Sequence, residues 1–152
     1  MDPRNIDAYI IGEHGDSEIP VWSSAYVSGM PLSRFCEFRG HHDHKASMEH
    51  LAQSVKDSAY EIIKKKKATY YALPWGCAVS AVPSSEMKER ASCIRFILMG
   101  NLAFREATLS VPAIIGAKGI EKVVPISLSK EEGDALQKSA EILKETAATI
   151  GY

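Results

Sequence analysis

The strongest constraint in this sequence is a helical pattern in the second quarter of the chain. Apolar side chains recur there every three or four positions, at Met48, Leu51, Ala52, Val55, Ala59, Ile62 and Ile63. Charged residues lie between them, so the pattern predicts an amphipathic helix with one apolar stripe. Lysines fill positions 64–67, and cations favour the C-terminal end of a helix.

A second helix is predicted at the C-terminal end of the chain. Ser129 and Glu132 match the S-x-x-E capping box, in which each residue satisfies a backbone N–H of the other. The sequence then places apolar residues on one stripe, at Leu136, Ala140, Leu143, Ala147 and Ile150. This stripe is expected to face a core or a partner subunit.

Short apolar runs predict strands on both sides of the first helix. Residues 7–12 (DAYIIG) are typical of a buried strand that ends at a glycine, and residues 12–18 (GEHGDSE) of a polar loop. Residues 19–27 (IPVWSSAYV) are interpreted as the start of a helix, because proline is tolerated in a first helical turn. Residues 107–116 and 123–128 are predicted strands, and the turn between them is predicted at residues 116–119 (GAKG).

Composition excludes several classes of function. Of 152 residues, 45% are hydrophobic and 24% are charged, with a net charge of −1, so a broad basic surface for nucleic acid is not expected. No apolar stretch is long enough to predict a membrane span, and the first residues do not resemble a signal peptide. The three cysteines (Cys36, Cys77 and Cys93) form no C-x-x-C pair, which favours reduced thiols in the cytoplasm.

Two groups of histidines are candidates for chemistry. His14 lies between two glycines at the end of a predicted strand, where an imidazole can exchange a proton with a ligand near neutral pH. Glu13, Asp16 and Glu18 are local carboxylates that could fix its tautomer, and the alternative is an ordinary polar loop. The residues at positions 41–44 (HHDH) could bind zinc or nickel. Consecutive residues rarely converge on one ion, so a solvated loop is favoured and no metal site is predicted.

Several segments resemble one family when they are taken in order. Residues 7–23 (DAYIIGEHGDSEIPVWS) resemble the segment that carries the catalytic histidine in L-lactate dehydrogenases, and the bacterial branch is closest. Residues 58–72 (SAYEIIKKKKATYYA), 109–132 (LSVPAIIGAKGIEKVVPISLSKEE) and 139–145 (SAEILKE) resemble later segments of the same family. The chain is therefore identified as a member of the NAD-dependent lactate and malate dehydrogenase family.

The resemblance implies a fold and a set of roles. The expected fold is α+β, with a twisted antiparallel sheet packed with long helices like the family's C-terminal domain. His14 would be the acid/base residue that exchanges a proton with pyruvate or lactate. Thr69 would lie beside the substrate, and Leu73 would lie near the nicotinamide of NAD. Glu13 favours lactate over malate, because malate enzymes more often carry Gly-Gly-His-Gly there, yet malate or another 2-hydroxyacid remains an alternative.

The sequence also departs from the family. Residues 1–152 would form only the catalytic domain, because G-x-G-x-x-G, the fingerprint of the dinucleotide-binding domain, is absent from the sequence. The family's orienting aspartate and its substrate-binding arginine would lie upstream, so no activity is expected of the chain alone. Residues 73–107 differ from the family pattern, and Lys67 stands where the family usually has glycine. The rival interpretation is a non-catalytic remnant that associates with intact subunits; a homo-oligomer is expected by resemblance.

Overall fold

The described part of the computed structural model comprises residues 2–40, 43–68, 90–92, 107–116 and 119–151. It contains three α-helices, α1 (Leu32–Phe38), α2 (His44–Lys66) and α3 (Lys130–Thr149). Two short 3-10 helices, Pro3–Asn5 and Trp22–Ser24, add single turns. None of the described helices is long and apolar enough to cross a membrane.

The described strands form three small antiparallel sheets. The strands are β1 (Ile6–Asp7), β2 (Ile10–Ile11), β3 (Ile19–Pro20), β4 (Tyr26–Val27), β5 (Met30–Pro31), β6 (Arg90–Ser92), β7 (Ala113–Gly116) and β8 (Gly119–Val123). Their orders are β1-β4-β5, β2-β3 and β6-β7-β8, and each pair is antiparallel. The predicted α+β fold of antiparallel sheets and long helices is confirmed.

The N-terminal strand prediction is only partly correct. The structure has β1 and β2 there rather than one buried strand, because the two segments pair with different partners. Of the three isoleucines in these two strands, Ile6 and Ile10 are each 42% exposed and Ile11 is buried. The chain changes sheets between these two strands, so the apolar run does not face one core.

The predicted helix start in residues 19–27 is wrong. Ile19 lies in β3 and pairs with Ile11 of β2. The Val21 N–H donates to the Tyr9 carbonyl at 2.8 Å. Only one 3-10 turn follows before β4, which pairs with both β1 and β5. Pairing with a distant segment therefore overrides the local helical signal, since Ile19 and Val21 both become buried.

The long helix predicted from the apolar periodicity is confirmed as α2. It begins four residues before Met48, where the Asp43 carboxylate caps it by accepting from the Ala46 N–H at 3.1 Å. Its apolar stripe is largely uncovered, since Leu51, Val55 and Ile62 are each 42–46% exposed. The stripe therefore contributes little to the core that the described residues form.

The end of α2 shows why the family usually has glycine at position 67. Lys67 takes a left-handed conformation with φ of 68°, and its N–H donates to the Ile63 carbonyl at 2.7 Å. Glycine is favoured at this position because a Cβ strains left-handed backbone.

Replacing Lys67 with glycine is expected to raise the free energy of unfolding by about 0.5–1 kcal/mol, because the strain is removed. Urea denaturation of the two proteins measures this difference. Lys64→Gly is the matched control, because position 64 lies inside α2 and glycine there should lower the stability by about 1 kcal/mol. Equal effects of both substitutions would contradict the assignment of strain to Lys67.

The second strand of the C-terminal pair lies earlier in the sequence than predicted. The first predicted strand contains β7, but β8 lies before residues 123–128 and shares only Val123 with that range. One residue beyond β8, the Val124 N–H still donates to the Pro112 carbonyl, at 2.9 Å. Pro125 follows and has no N–H to donate, so the ladder ends there. Gly116 pairs with Gly119 as the predicted turn requires, and residues 117–118 lie outside the described part.

The capping box at the start of α3 is confirmed. The Ser129 hydroxyl accepts from the Glu132 N–H at 3.2 Å, and the Glu132 carboxylate accepts from the Ser129 N–H at 2.8 Å. The same carboxylate accepts from the Ser23 N–H at 3.0 Å and from the Ser23 hydroxyl. Burial raises the pKa of Glu132, but the hydrogen bonds from Ser23 and Ser129 together hold it below its ordinary value. Glu132 therefore ties α3 to the turn at residues 22–24.

The core lies between the loops around β2 and β3, the segment before β7 and the inner face of α3. Its buried members are Ile11, Ile19, Val21, Ala107, Leu109, Val111, Leu136 and Ala140. On α3 the predicted stripe is buried at its first two positions, while Ile150 follows the helix and is 72% exposed. The core thus joins segments that are far apart in the sequence, and it surrounds the base of the histidine loop.

Candidate active site

The predicted polar loop is confirmed as the connection between β2 and β3. Ile11 and Ile19 pair directly at its base, and residues 12–18 extend beyond them. The Glu18 N–H donates to the Gly15 carbonyl at 3.2 Å, which closes a tight turn. Gly15 begins this turn and His14 immediately precedes it, and both residues are exposed. The loop therefore presents an imidazole to solvent from a rigid base.

Gly12 fixes the direction in which the chain enters the loop. It has φ of 91° and exchanges two backbone hydrogen bonds with Ser110, at 3.0 and 2.8 Å. A Cβ at this position would lie 2.6 Å from Ile19 Cδ1 and 3.1 Å from Ser139 Oγ. Only glycine fits both the backbone conformation and the space.

Two of the three local carboxylates have hydroxyl donors of their own. The Glu13 carboxylate accepts from the Ser17 hydroxyl, and Asp16 Oδ1 accepts from the Tyr60 hydroxyl at 2.5 Å. The hydrogen bond to Asp16, together with the charge of that carboxylate, raises the pKa of Tyr60. Lys56 Nζ also donates to the Asp16 carbonyl at 2.6 Å. Helix α2 therefore contacts the loop on the side of Asp16.

The other predicted site residues lie beyond the described end of this helix. Thr69 and Leu73 are outside the described residues, so their roles stay predictions. Asp43 is occupied in capping α2, and the structure brings no group of three metal-ligating side chains together among the residues it describes. His41 and His42 are outside that part of the chain.

Sequence reasoning missed the contacts that hold the loop. Lys56 and Tyr60 belong to the predicted amphipathic helix and Ser139 to the family-like segment 139–145, and neither pattern predicts a contact with the loop. Ser139 is nevertheless fully buried on the inner face of α3, three residues after Leu136 and next to Ala140. A hydroxyl beside an apolar stripe is the signal that could have identified it, because buried polar groups need partners.

Comparison with known proteins decides the family. The profile described as lactate/malate dehydrogenase, alpha/beta C-terminal domain, matches residues 1–150. The chain belongs to the lactate/malate dehydrogenase family. The resemblance inferred from the sequence is confirmed, and members of this family are NAD-dependent oxidoreductases.

Individual family members resemble the chain over nearly its whole length. An L-lactate dehydrogenase of Acetivibrio thermocellus is 38% identical over 152 residues, which cover 99% of this chain and 47% of the relative. The crystal structure of a lactate dehydrogenase from a Medee basin deep-sea metagenome library superposes with a TM-score of 0.89 and 32% identity, covering 100% of this chain and 48% of the other. The malate dehydrogenase of Cryptosporidium parvum gives a TM-score of 0.85 and 27% identity, covering 95% and 46%. The chain spans about half the length of the curated relatives that it matches.

Proposed function

We propose that this chain provides the proton-transfer half of an L-lactate dehydrogenase, which interconverts pyruvate and lactate with NAD. The observation that carries the proposal is the exposed His14 on a loop that is tied down at Gly12, Glu13 and Asp16. A catalytic imidazole needs both access to the substrate and a fixed position. The choice of lactate is supported by the 38% identity to an L-lactate dehydrogenase.

His14 is assigned one proton transfer in each direction. In the direction of lactate its imidazolium donates a proton to the keto oxygen of pyruvate, and its positive charge polarises that carbonyl beforehand. In the reverse direction the neutral imidazole accepts the hydroxyl proton of lactate. By the family resemblance, Thr69 lies beside the substrate and Leu73 packs near the nicotinamide.

The motif that forms the main binding site for NAD is absent from these 152 residues. The sequence has no G-x-G-x-x-G fingerprint, which normally holds the pyrophosphate at a helix N-terminus. When bound, NAD supplies or takes up the hydride. We therefore propose that the chain acts together with a nucleotide-binding domain, and that alone it does not oxidise NADH with pyruvate.

Two alternatives follow from particular observations. The malate dehydrogenase of Cryptosporidium parvum has nearly the same fold as this chain, which supports oxaloacetate and malate as an alternative substrate pair. The uncovered apolar stripe of α2 supports association with other subunits, because exposed apolar surface of this kind marks contacts between proteins. A homo-oligomer, or an assembly with intact subunits, would cover it.

Co-expression tests the proposal. The 152-residue chain would be produced with the tagged nucleotide-binding half of the Acetivibrio thermocellus relative, and the purified complex assayed for NADH oxidation. Faster turnover with pyruvate than with oxaloacetate is expected. Faster turnover with oxaloacetate would favour the malate alternative. A missing complex, or a complex without either activity, would favour the non-catalytic interpretation.

A further inference from the structure

A buried hydroxyl on the terminal helix reaches the histidine loop from 126 positions away in the sequence. Ser139 has no exposed surface, and its Oγ accepts the Glu13 N–H at 2.9 Å. The same Oγ lies 3.0 Å from Ser17 Oγ, on the other side of the loop. Ser139 therefore contacts the loop both before and after His14.

The direction of these hydrogen bonds follows from the number of protons available. The Ser17 hydroxyl donates its single proton to the Glu13 carboxylate. The contact between the two serines is then made by the Ser139 proton, with Ser17 Oγ as acceptor. The bonds run from the Glu13 N–H to Ser139, from Ser139 to Ser17, and from Ser17 back to the Glu13 carboxylate. They close a ring that begins and ends on one residue.

The carboxylate of this ring lies close to Gly15, the residue after His14. A Cβ at Gly15 would lie 2.7 Å from Glu13 Oε1, so the carboxylate extends past His14 to the start of the turn at residues 15–18. Since Ser17 holds this carboxylate, it cannot move away freely. The Glu13 N–H before His14 and the Ser17 side chain after it are thereby both linked to α3 through Ser139.

We propose that the ring formed by Glu13, Ser17 and Ser139 positions His14, and that Ser17 and Ser139 are positioning residues for the proton transfer. The catalytic consequence rests on the proposed function, whereas the positioning itself does not. Ser139 Oγ accepts from one side of the loop and donates to the other, so a single buried hydroxyl connects both sides of the loop to α3. Opening the ring should therefore change the surroundings of His14 more than it changes the rest of the fold.

A matched pair of variants at Ser17 tests the ring in the full 152-residue chain. Threonine keeps the hydroxyl, and valine has nearly the same shape as threonine but no hydroxyl. Because Ser17 is only partly buried, both side chains should be accommodated. We expect Ser17→Val to shift the His14 ring signals in ¹H–¹³C NMR spectra, and Ser17→Thr to retain the wild-type signals. Ser139→Ala should shift them too, and it should accelerate hydrogen exchange of the Glu13 amide by about fivefold.

Controls separate positioning from stability and from activity. Ser58→Ala removes an exposed hydroxyl that bonds only within α2, to the Val55 carbonyl at 2.6 Å, and should leave His14 unchanged. Exchange of the α3 amides reports global stability in each variant. Unchanged His14 signals in Ser17→Val would overturn the proposal, as would equal shifts in Ser17→Val and Ser17→Thr. None of these measurements requires turnover. The positioning proposal can therefore be refuted while the proposed activity stands, and the proposed activity can be refuted while the positioning proposal stands.

Discussion

Replacing His14 with glutamine is expected to lower kcat/KM for pyruvate by about 10²- to 10⁴-fold in the complex with a nucleotide-binding half. Glutamine can donate a hydrogen bond to the keto oxygen, but it cannot transfer a proton near neutral pH. Binding of NADH should be unchanged, because His14 is assigned to the proton and not to the dinucleotide. Steady-state kinetics, with NADH binding followed by its fluorescence, measure both quantities.

His50→Gln is the control for this substitution. His50 is an exposed residue of α2, and its side chain has no role in the proposed proton transfer. This variant should keep the activity of the parent complex. A similar loss in both variants, or a His14→Gln enzyme of nearly full activity, would contradict the assignment of His14 as the acid.

Replacing Leu109 with alanine is expected to lower the free energy of unfolding by about 2–5 kcal/mol. Leu109 is 1% exposed in the core that surrounds the base of the histidine loop, and it precedes Ser110, which pairs with Gly12. The substitution removes buried apolar contacts and leaves a cavity that the neighbouring side chains fill only in part. Urea denaturation followed by circular dichroism measures the change.

Leu51→Ala is the matched control, because Leu51 is 46% exposed on the uncovered stripe of α2. Its expected effect is below about 1 kcal/mol. Equal losses for the two variants would show that α2 is covered in solution, which a second copy of the chain would explain. A concentration-dependent transition midpoint would then identify that association.

The helices were predictable because their signals are local. The capping box that starts α3 joins residues only three positions apart, and the periodicity of α2 is contained within the helix. Neighbouring side chains interact in any chain that carries these residues, whatever surrounds them. The N-terminal strands were not predictable in this way. Residues 19–27 carry a local helical signal, but pairing of Ile19 with Ile11 and of Val27 with Ile6 makes strands there.

The candidate site was likewise predictable from the sequence only in part. The sequence by itself determined the family and the polar loop, and it identified His14 as the candidate acid/base residue, because GEHGDSE is a contiguous string that resembles the family's histidine segment. Only the tertiary structure revealed how that loop is held. Ser139 reaches Glu13 from the C-terminal helix, and Tyr60 reaches Asp16 from α2, across 126 and 44 positions. Such contacts depend on how the helices pack against the core, and no short sequence pattern encodes that packing.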